Sequence, residues 1–147
     1  RSDFEPGRGL RPESSLLAMI LADTDVLIDA LHGREPALGR ISLELGTGRL
    51  STTTITVFEL HSGAKTEKQR KAVTTLLEAM TIFPLDAEAA RRAANIRQAL
   101  ESVGQGIGTA DYLIAGIALS KSAILLTRNQ AHFGRVPGLS LGTLSSC

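Results

Sequence analysis

Apolar residues alternate along the chain between short runs and helical spacings from residue 19 onward. Short apolar or β-branched runs predict strands, and apolar residues three and four apart predict helices. The predicted strands are residues 19–22, 50–54, 81–84, 123–127 and 139–141. The predicted helices are residues 25–31, 36–45, a segment from about 56, 68–79, 86–103 and 109–121.

Strands that are separated by helices indicate a parallel sheet covered on both faces. We therefore predict an α/β fold with a single domain and a parallel sheet of four or five strands flanked by helices. In such folds the functional crevice lies at the carboxyl ends of the strands. Polar residues just past a strand, or at the start of the next helix, are therefore the first candidates for a site.

The first 18 residues differ from the rest of the chain. They mix acidic and basic residues with Pro and Gly and show little apolar periodicity, which predicts a flexible N-terminal extension. The folded domain is predicted to span residues 19–147. A chain of 147 residues fits one such domain and is long enough to bury a core.

Composition limits which cellular compartment and which kinds of partner we expect for this protein. The single cysteine, Cys147, excludes a disulfide framework, and no apolar run approaches the ~20 residues of a membrane-spanning helix, so we expect a cytoplasmic protein that does not enter a membrane. The formal net charge of +1 neither requires nor excludes nucleic acid. Because aromatic residues make up only 3% of the chain, bound nucleic acid would be held by charge and metal rather than by stacked rings.

Four oxygen-bearing side chains fall at predicted strand-to-helix junctions. Asp23 directly follows the first strand, and Glu59 is expected in the first turn of the helix after the second. Asp111 is expected in the first turn of the helix that begins at residue 109, and Asn129 lies just past the fourth strand. These junctions belong to the same edge of a parallel sheet, which predicts that the four residues lie together.

Clustered carboxylates repel one another unless a cation compensates their charge. Mg²⁺ and Mn²⁺ prefer carboxylate oxygens, and such an ion activates water against a phosphodiester. Taken singly, each residue also has a structural explanation, as a helix cap, a turn residue or a solvated side chain. Two acids close to buried apolar segments, Asp23 and Asp111, make that explanation weaker for the group than for any one member.

The remaining chemical groups carry less information. The three histidines, His32, His61 and His132, match no familiar zinc spacing and are predicted to be structural or surface residues. A glycine-rich phosphate loop does not follow the first strand, and no serine lies at a strand–helix elbow. Nucleotide cofactors and a serine triad are therefore not expected.

Four segments of the chain resemble the PIN-domain family and, within it, the VapC-type toxins of bacterial toxin–antitoxin pairs. They are LADTDVLID (residues 21–29), TTITVFEL (53–60), IGTADYLIA (107–115) and LTRNQAHF (126–133). Each segment is weak evidence alone, but four in this order and spacing are specific. The resemblance covers about residues 19–144 and implies a PIN-like nuclease fold for the domain.

The resemblance also implies roles for individual residues. The metal-binding and catalytic acids would be Asp23, Glu59 and Asp111. Asn129 matches a position that is often aspartate, so it is expected to be a weak fourth ligand. Thr127 would orient its loop by hydrogen bonding, and Asp25 would contact the ligands without binding the metal itself. Asp29, one helical turn further on, is predicted to be a solvated helix residue.

Membership of this family would imply a ribonuclease that uses Mg²⁺ or Mn²⁺, forms a homodimer and is neutralised by a cognate antitoxin. Two alternatives remain open. The segment Asp23-Thr24-Asp25 also resembles the start of haloacid-dehalogenase-type phosphatases, which need a later lysine, for which Lys121 is a poor candidate. A non-catalytic, receiver-like or partner-binding α/β domain could also hold Mg²⁺ with the same acids, with Asp86 as a weak phosphoacceptor candidate.

Overall fold

A five-stranded parallel sheet forms the centre of the computed structural model, which describes residues 18–145. The strands are β1 (Ile20–Ala22), β2 (Leu50–Thr53), β3 (Thr81–Phe83), β4 (Ile124–Leu126) and β5 (Ser140–Leu141). Their order across the sheet is β3-β2-β1-β4-β5, and all neighbours are parallel. The predicted parallel α/β sheet is therefore confirmed, with five strands. The predicted extension, apart from its last residue, lies outside the described residues.

Seven helices are present within the described residues. They are α1 (Thr24–Leu31), α2 (Ala37–Thr47), α3 (Thr54–Gly63), α4 (Glu67–Glu78), α5 (Ala87–Ser102), α6 (Thr109–Ser120) and α7 (Gln130–Phe133). Six of them match predicted helices within a few residues, whereas the one-turn helix α7 was not predicted. Between residues 18 and 145, no helix combines the length and apolar character needed to cross a membrane.

Side-chain caps fix where the first and third helices begin. The Asp23 carboxylate accepts a hydrogen bond from the Thr24 amide at 2.8 Å and begins α1 immediately after β1. The Thr53 hydroxyl accepts from the Thr56 amide at 3.1 Å and begins α3 directly after β2. Because a cap satisfies amides that have no partner within the helix, each strand leads directly into its helix at the carboxyl edge of the sheet.

The sheet separates two apolar clusters, as expected when helices cover both faces. One cluster contains residues from α5, α6 and β4, and the other contains residues from α1 to α4. Helices α5 and α6 pack very closely at Gly116, where a Cβ atom would lie 2.4 Å from the Ala89 carbonyl oxygen. This close approach holds α6, and with it Asp111, against α5.

Strand β2 is polar and yet fully buried. The Ser51 hydroxyl donates to the Ile20 carbonyl at 3.0 Å, and the Thr52 hydroxyl donates to the Ala22 carbonyl at 2.8 Å. Both side chains are 0% exposed, so these hydrogen bonds remove the penalty of burying their hydroxyls. They also tie β2 to β1, the strand that leads to Asp23.

A buried glutamate in α2 joins the two ends of the described chain. Glu44 is 2% exposed, and its carboxylate lies 3.2 Å from both the Arg40 and the Arg49 guanidinium groups. Arg40 also donates to the Thr143 carbonyl at 2.6 Å, and Arg49 to the Ala18 carbonyl at 3.5 Å. The cluster therefore holds both terminal segments beside α2.

Candidate active site

Asp23 lies at the carboxyl end of β1, in the centre of the sheet. Its side chain is buried, with 6% of the residue exposed. One carboxylate oxygen accepts from the Thr24 amide at 2.8 Å, and the other accepts from the Thr127 hydroxyl at 2.7 Å. Since β1 and β4 are neighbours, Thr127 reaches Asp23 from the end of the adjacent strand. Both oxygens of the carboxylate are thus held in a defined orientation.

Asp25 lies in the first turn of α1 and contacts the same loop after β4. Its carboxylate accepts from the Arg128 amide at 3.2 Å and lies 3.5 Å from the Thr127 hydroxyl oxygen. The loop that follows β4 is therefore bound to the amino end of α1. This arrangement puts Asp25 beside Asp23.

Glu59 reaches the site from α3, but not from the first turn as predicted. The helix begins at Thr54, two residues earlier than expected, so Glu59 lies in its second turn. Its carboxylate accepts from the Thr24 hydroxyl, whose oxygen lies 3.0 Å from the Thr56 hydroxyl oxygen. These two threonines connect Glu59 to the start of α1.

Asp111 reaches the site from a third direction, in the first turn of α6 as predicted. The predicted strand-to-helix junction is wrong for this residue, because α6 follows helix α5 and not a strand. One of its carboxylate oxygens lies 3.7 Å from Nδ1 of His132, and 24% of its side chain is exposed. His132 belongs to α7, which follows β4. Asp111 therefore faces the same edge of the sheet as Asp23, from a different helix than Glu59.

The electrostatics of Asp23 and Asp111 reflect this convergence. Burial and, next, the charge of Asp25 raise the pKa of Asp23 to about 7, against the opposing effect of its two hydrogen bonds. The charge of Asp111 raises this pKa further. Burial likewise raises the pKa of Asp111, whereas His132 lowers it, and the charge of Glu59 raises it. These carboxylates are thus close enough to repel one another.

Asp25 follows the same pattern. Burial raises its pKa, while the amide and the charge of Arg128 lower it. The site as a whole holds more negative charge than its neighbours compensate, which is the condition that a divalent cation relieves. As the side chains stand in residues 18–145, however, no three Asp, Glu, His or Cys residues surround a common ion position.

Thr127 and Asn129 both lie in the loop that follows β4. Thr127 is 0% exposed, and its hydroxyl oxygen accepts from the Asn129 amide at 3.0 Å while donating to Asp23. The Asn129 side-chain amide nitrogen lies 2.9 Å from Nδ1 of His132. The imidazole of His132 thus lies beside both Asn129 and Asp111.

His132 was predicted to be structural or on the surface, and 43% of its side chain is exposed. It lies beside Asn129 and Asp111, and its position three residues after Asn129 was the signal for this contact. Asp29 was predicted to be solvated, which is wrong. It is 8% exposed and pairs with Arg34 and Arg128 at 3.4 and 2.9 Å.

A family model described as "PIN domain" matches residues 20–139. The chain belongs to the PIN-domain family. Residues 23, 25, 59 and 111 all lie within the matched segment, as does the loop that carries residues 127–132. The PIN-domain resemblance predicted from the four sequence segments is therefore confirmed.

Curated relatives of this PIN domain are VapC proteins. The chain is 30% identical over 123 residues to the tRNA(fMet)-specific endonuclease VapC of Shigella flexneri, covering 81% of this chain and 92% of the relative. It is 34% identical over 115 residues to Ribonuclease VapC10 of Mycobacterium tuberculosis strain H37Rv, covering 78% of this chain and 86% of the relative.

A solved structure with the same fold is that of VapBC2 from Rickettsia felis, bound to a DNA fragment from its promoter. The superposition has a TM-score of 0.78 at 25% identity and covers 85% of this chain and 98% of the other. VapBC from Salmonella typhimurium, also bound to DNA, gives a TM-score of 0.77 at 26% identity, covering 87% and 99%. The PIN-like fold is thus matched over nearly the full length of both solved chains.

The alternatives raised by the sequence find little support in this PIN domain. The phosphatase hypothesis needs a lysine near Asp23, but the Lys121 ammonium lies 5.4 Å from the centre of the Phe83 ring. The receiver hypothesis needs Asp86 as a phosphoacceptor, but its carboxylate caps α5 by accepting from the Ala89 amide at 2.9 Å. Both side chains have structural roles where the alternatives require chemical ones.

Proposed function

We propose that this PIN domain is the metal-dependent endoribonuclease toxin of a toxin–antitoxin pair. It cleaves RNA phosphodiesters with Mg²⁺ or Mn²⁺ held by Asp23, Glu59 and Asp111. The observation that carries the proposal is the convergence of these acids on one edge of the sheet, where burial and mutual repulsion raise the pKa values of Asp23 and Asp111. The names of the curated relatives, which are ribonucleases and an endonuclease, support RNA as the substrate.

The donor set suits a hard divalent cation, because it consists of carboxylates next to one neutral amide. When bound, such an ion supplies an activated water and neutralises charge on the phosphate. Asp23 is held for this role by the Thr24 amide and the Thr127 hydroxyl, and Glu59 by the Thr24 hydroxyl. Glu59 and Asp111 would hold the ion together with Asp23, although no three Asp, Glu, His or Cys side chains among residues 18–145 surround one position as they stand.

The other residues support the ligands. Asp25 holds the loop after β4 through the Arg128 amide, and Thr127 binds Asp23 and the Asn129 amide together. Asn129 is a weaker fourth ligand because its amide oxygen is neutral. His132 lies where it can orient Asp111 and Asn129.

A cognate antitoxin is the proposed protein partner, because the solved relatives are described as VapBC complexes. An apolar groove of about 580 Å³ between α1, α3 and α4 suits a segment of such a partner. Leu31, Leu60 and Val73 line it, and Glu59 stands on its wall, so a basic side chain of the bound segment would reach the acids. A homodimer and a cytoplasmic location remain predictions from the resemblance and from cysteine usage.

The decisive experiment is RNA cleavage by matched variants. Purified protein is incubated with structured RNAs and Mn²⁺, with and without EDTA. Asp111→Asn is expected to lower the cleavage rate at least about 100-fold, since it removes a charged ligand of the metal. Glu67→Gln, in an exposed side chain of α4, makes the same chemical change away from the site and is expected to cleave as the wild type does.

The outcomes separate the nuclease from the alternatives. Cleavage that needs Mn²⁺ and is lost only in Asp111→Asn supports the proposal. RNA that stays intact while p-nitrophenyl phosphate is hydrolysed would point to a phosphatase instead. Growth arrest on expression, relieved by Asp23→Ala, would support the toxin role.

A further inference from the structure

We propose that Arg34 and Arg128 bind a phosphate of the RNA strand next to the one that is cleaved, with Asp29 holding both arginines in place. We call these two residues the arginine pair. The inference rests on the proposed nuclease function, because it assigns the pair to the same substrate. The observation that supports it is the geometry around Asp29. This residue neither caps a helix nor belongs to the acid cluster, by which we mean Asp23, Asp25, Glu59 and Asp111.

Asp29 binds one arginine with each of its carboxylate oxygens. Oδ2 lies 2.9 Å from Nε of Arg128, and Oδ1 lies 3.4 Å from Nη1 of Arg34. The Arg34 amide also donates to the Asp29 carbonyl at 2.8 Å, which fixes the start of the chain after α1. Two guanidinium groups from different segments are therefore brought to the same point on the surface.

The charges do not cancel at this point. One carboxylate faces two guanidinium groups, so these three side chains by themselves carry a net charge of +1, although the charge of Arg128 also acts on Asp25. The arginine side chains are 57% (Arg128) and 62% (Arg34) exposed, whereas that of Asp29 is only 11% exposed. A guanidinium group has five N–H donors, and Asp29 engages only Nε of Arg128 and Nη1 of Arg34. Within residues 18–145 the other donors of both side chains have no hydrogen-bond partner and are available to an anion, and phosphate matches their planar arrangement.

The arginine pair is joined to the acid cluster by covalent and hydrogen-bonded connections. Arg128 directly follows Thr127, which binds Asp23, and its own amide binds Asp25. Asp25 and Asp29 lie four residues apart on α1, slightly more than one helical turn, or about 6 Å along the axis. A strand with one phosphate at the acids would therefore bring a neighbouring phosphate to the arginine pair.

The test measures RNA binding in the Asp111→Asn background, so that cleavage does not interfere. A 5′-labelled single-stranded RNA oligonucleotide is titrated with protein in Mg²⁺, and fluorescence anisotropy gives the Kd over a range of salt concentrations. The variants are Arg34→Gln, Arg128→Gln and their combination. The control is Arg97→Gln, because the Arg97 side chain is also 57% exposed and also pairs through Nε, with Glu101 at 3.1 Å.

Each arginine substitution is expected to raise the Kd by about three- to tenfold at low salt. The slope of log Kd against log salt is expected to fall by about 0.7 for each phosphate of a single strand that the protein no longer neutralises. Arg97→Gln should change neither quantity. In the cleavage assay with Asp111 intact, Arg128→Gln should raise KM and leave kcat within about twofold, since the pair binds a phosphate that does not react.

Asp29 is a positioning residue in this proposal. Asp29→Asn leaves both positive charges but no longer holds the two guanidinium groups in place. We therefore expect a higher Kd, with a salt slope close to that of the wild type. Once Arg34 and Arg128 are both Gln, adding Asp29→Asn should have no further effect on the Kd. Thermal unfolding of every variant separates loss of binding from loss of folding, and Arg128→Lys, which keeps the charge, should restore most of the salt slope.

The inference is overturned if Arg34→Gln and Arg128→Gln bind RNA as tightly as Arg97→Gln and with the same salt slope, or if no variant binds RNA at all. It fails separately from the nuclease proposal. A wild-type protein that cleaves RNA with KM unchanged by Arg128→Gln keeps its nuclease function and loses the arginine pair. A protein that binds RNA through the arginine pair but never cleaves it supports the arginine pair and contradicts the nuclease proposal.

Discussion

Among single residues, Asp23 has a position that the sequence predicts and an environment that only the folded structure determines. Its place directly after a strand was predicted from the sequence, because strand ends can be located from apolar patterns. Its burial and the repulsion by Asp25 and Asp111 come from the way that separate segments of the chain pack around it. Those contacts raise its pKa to about 7, so the free carboxylate opposes folding at neutral pH unless a cation binds.

The first prediction follows from that pKa. The ordinary value for Asp is 3.8, so between about pH 4 and pH 7 the unfolded chain loses the proton that the folded protein retains. In EDTA, the free energy of unfolding should therefore be highest below this window and fall by a few kcal/mol as the pH rises through it. Urea denaturation at a series of pH values measures this decline.

The matched variant is Asp23→Asn, which cannot titrate. It should show a flatter dependence of unfolding free energy on pH over the same window and should be more stable than the wild type at neutral pH in EDTA. Asp86→Asn, a cap on α5 outside the cluster, should retain the wild-type decline. An unfolding free energy that rises from pH 4 to pH 7 in the wild type would contradict the prediction.

Among the helices and strands, the packing of α5 against α6 determines where Asp111 stands. A Cβ atom at Gly116 would lie 2.4 Å from the Ala89 carbonyl oxygen and 2.9 Å from the Ala93 nitrogen, and neither backbone atom can move without shifting a helix. The periodicity of α6 predicted an apolar helix but not this close approach. The reason is that contact between two helices depends on the shapes of both.

The second prediction uses this contact. Gly116→Ala should lower the free energy of unfolding by about 1–3 kcal/mol, because the added methyl group forces the helices apart. It should also reduce RNA cleavage, since α6 carries Asp111. Gly46→Ala in α2 is the control: nothing lies within 4 Å of the point that its Cβ atom would occupy, so the change should be neutral or stabilising by up to about 1 kcal/mol. Equal urea midpoints for the two variants would refute the packing argument.

Across the whole molecule, the acid cluster brings together β1, α1, α3 and α6 at one edge of the sheet. A cation there would add to the Thr24–Glu59 and Thr127–Asp23 hydrogen bonds that already connect elements at this edge. The third prediction is that Mg²⁺ or Mn²⁺ raises the melting temperature above that in EDTA. A metal at 100 times its Kd stabilises the folded state by about 2.7 kcal/mol. Differential scanning fluorimetry at neutral pH, with and without metal, measures the shift.

Two variants make this measurement specific. Asp111→Asn should lose most of the metal-dependent shift, whereas Glu67→Gln should keep it. Because protons compete with the ion for Asp23, the shift should also shrink as the pH falls below about 7. A shift that survives in Asp111→Asn would mean that the ion binds elsewhere on the protein.

Local patterns were sufficient to predict the strands, most of the helices, the parallel α/β sheet, the strand-end positions of Asp23 and Asn129, and the place of Asp111 in the first turn of its helix. These features follow from periodicity and from the rule that parallel strands present their carboxyl ends at one edge, both of which are local or topological. Even the earlier start of α3 had a local cause, the Thr53 cap.

Which side chains meet, in contrast, depended on the folded chain. Asp29 is buried because Arg128, 99 positions along the chain, covers it. His132, in the helix after β4, lies 3.7 Å from Asp111 in α6, a residue 21 positions earlier in the chain. Such pairs depend on side chains from separate segments and on the removal of water between them, which no pattern within one segment records.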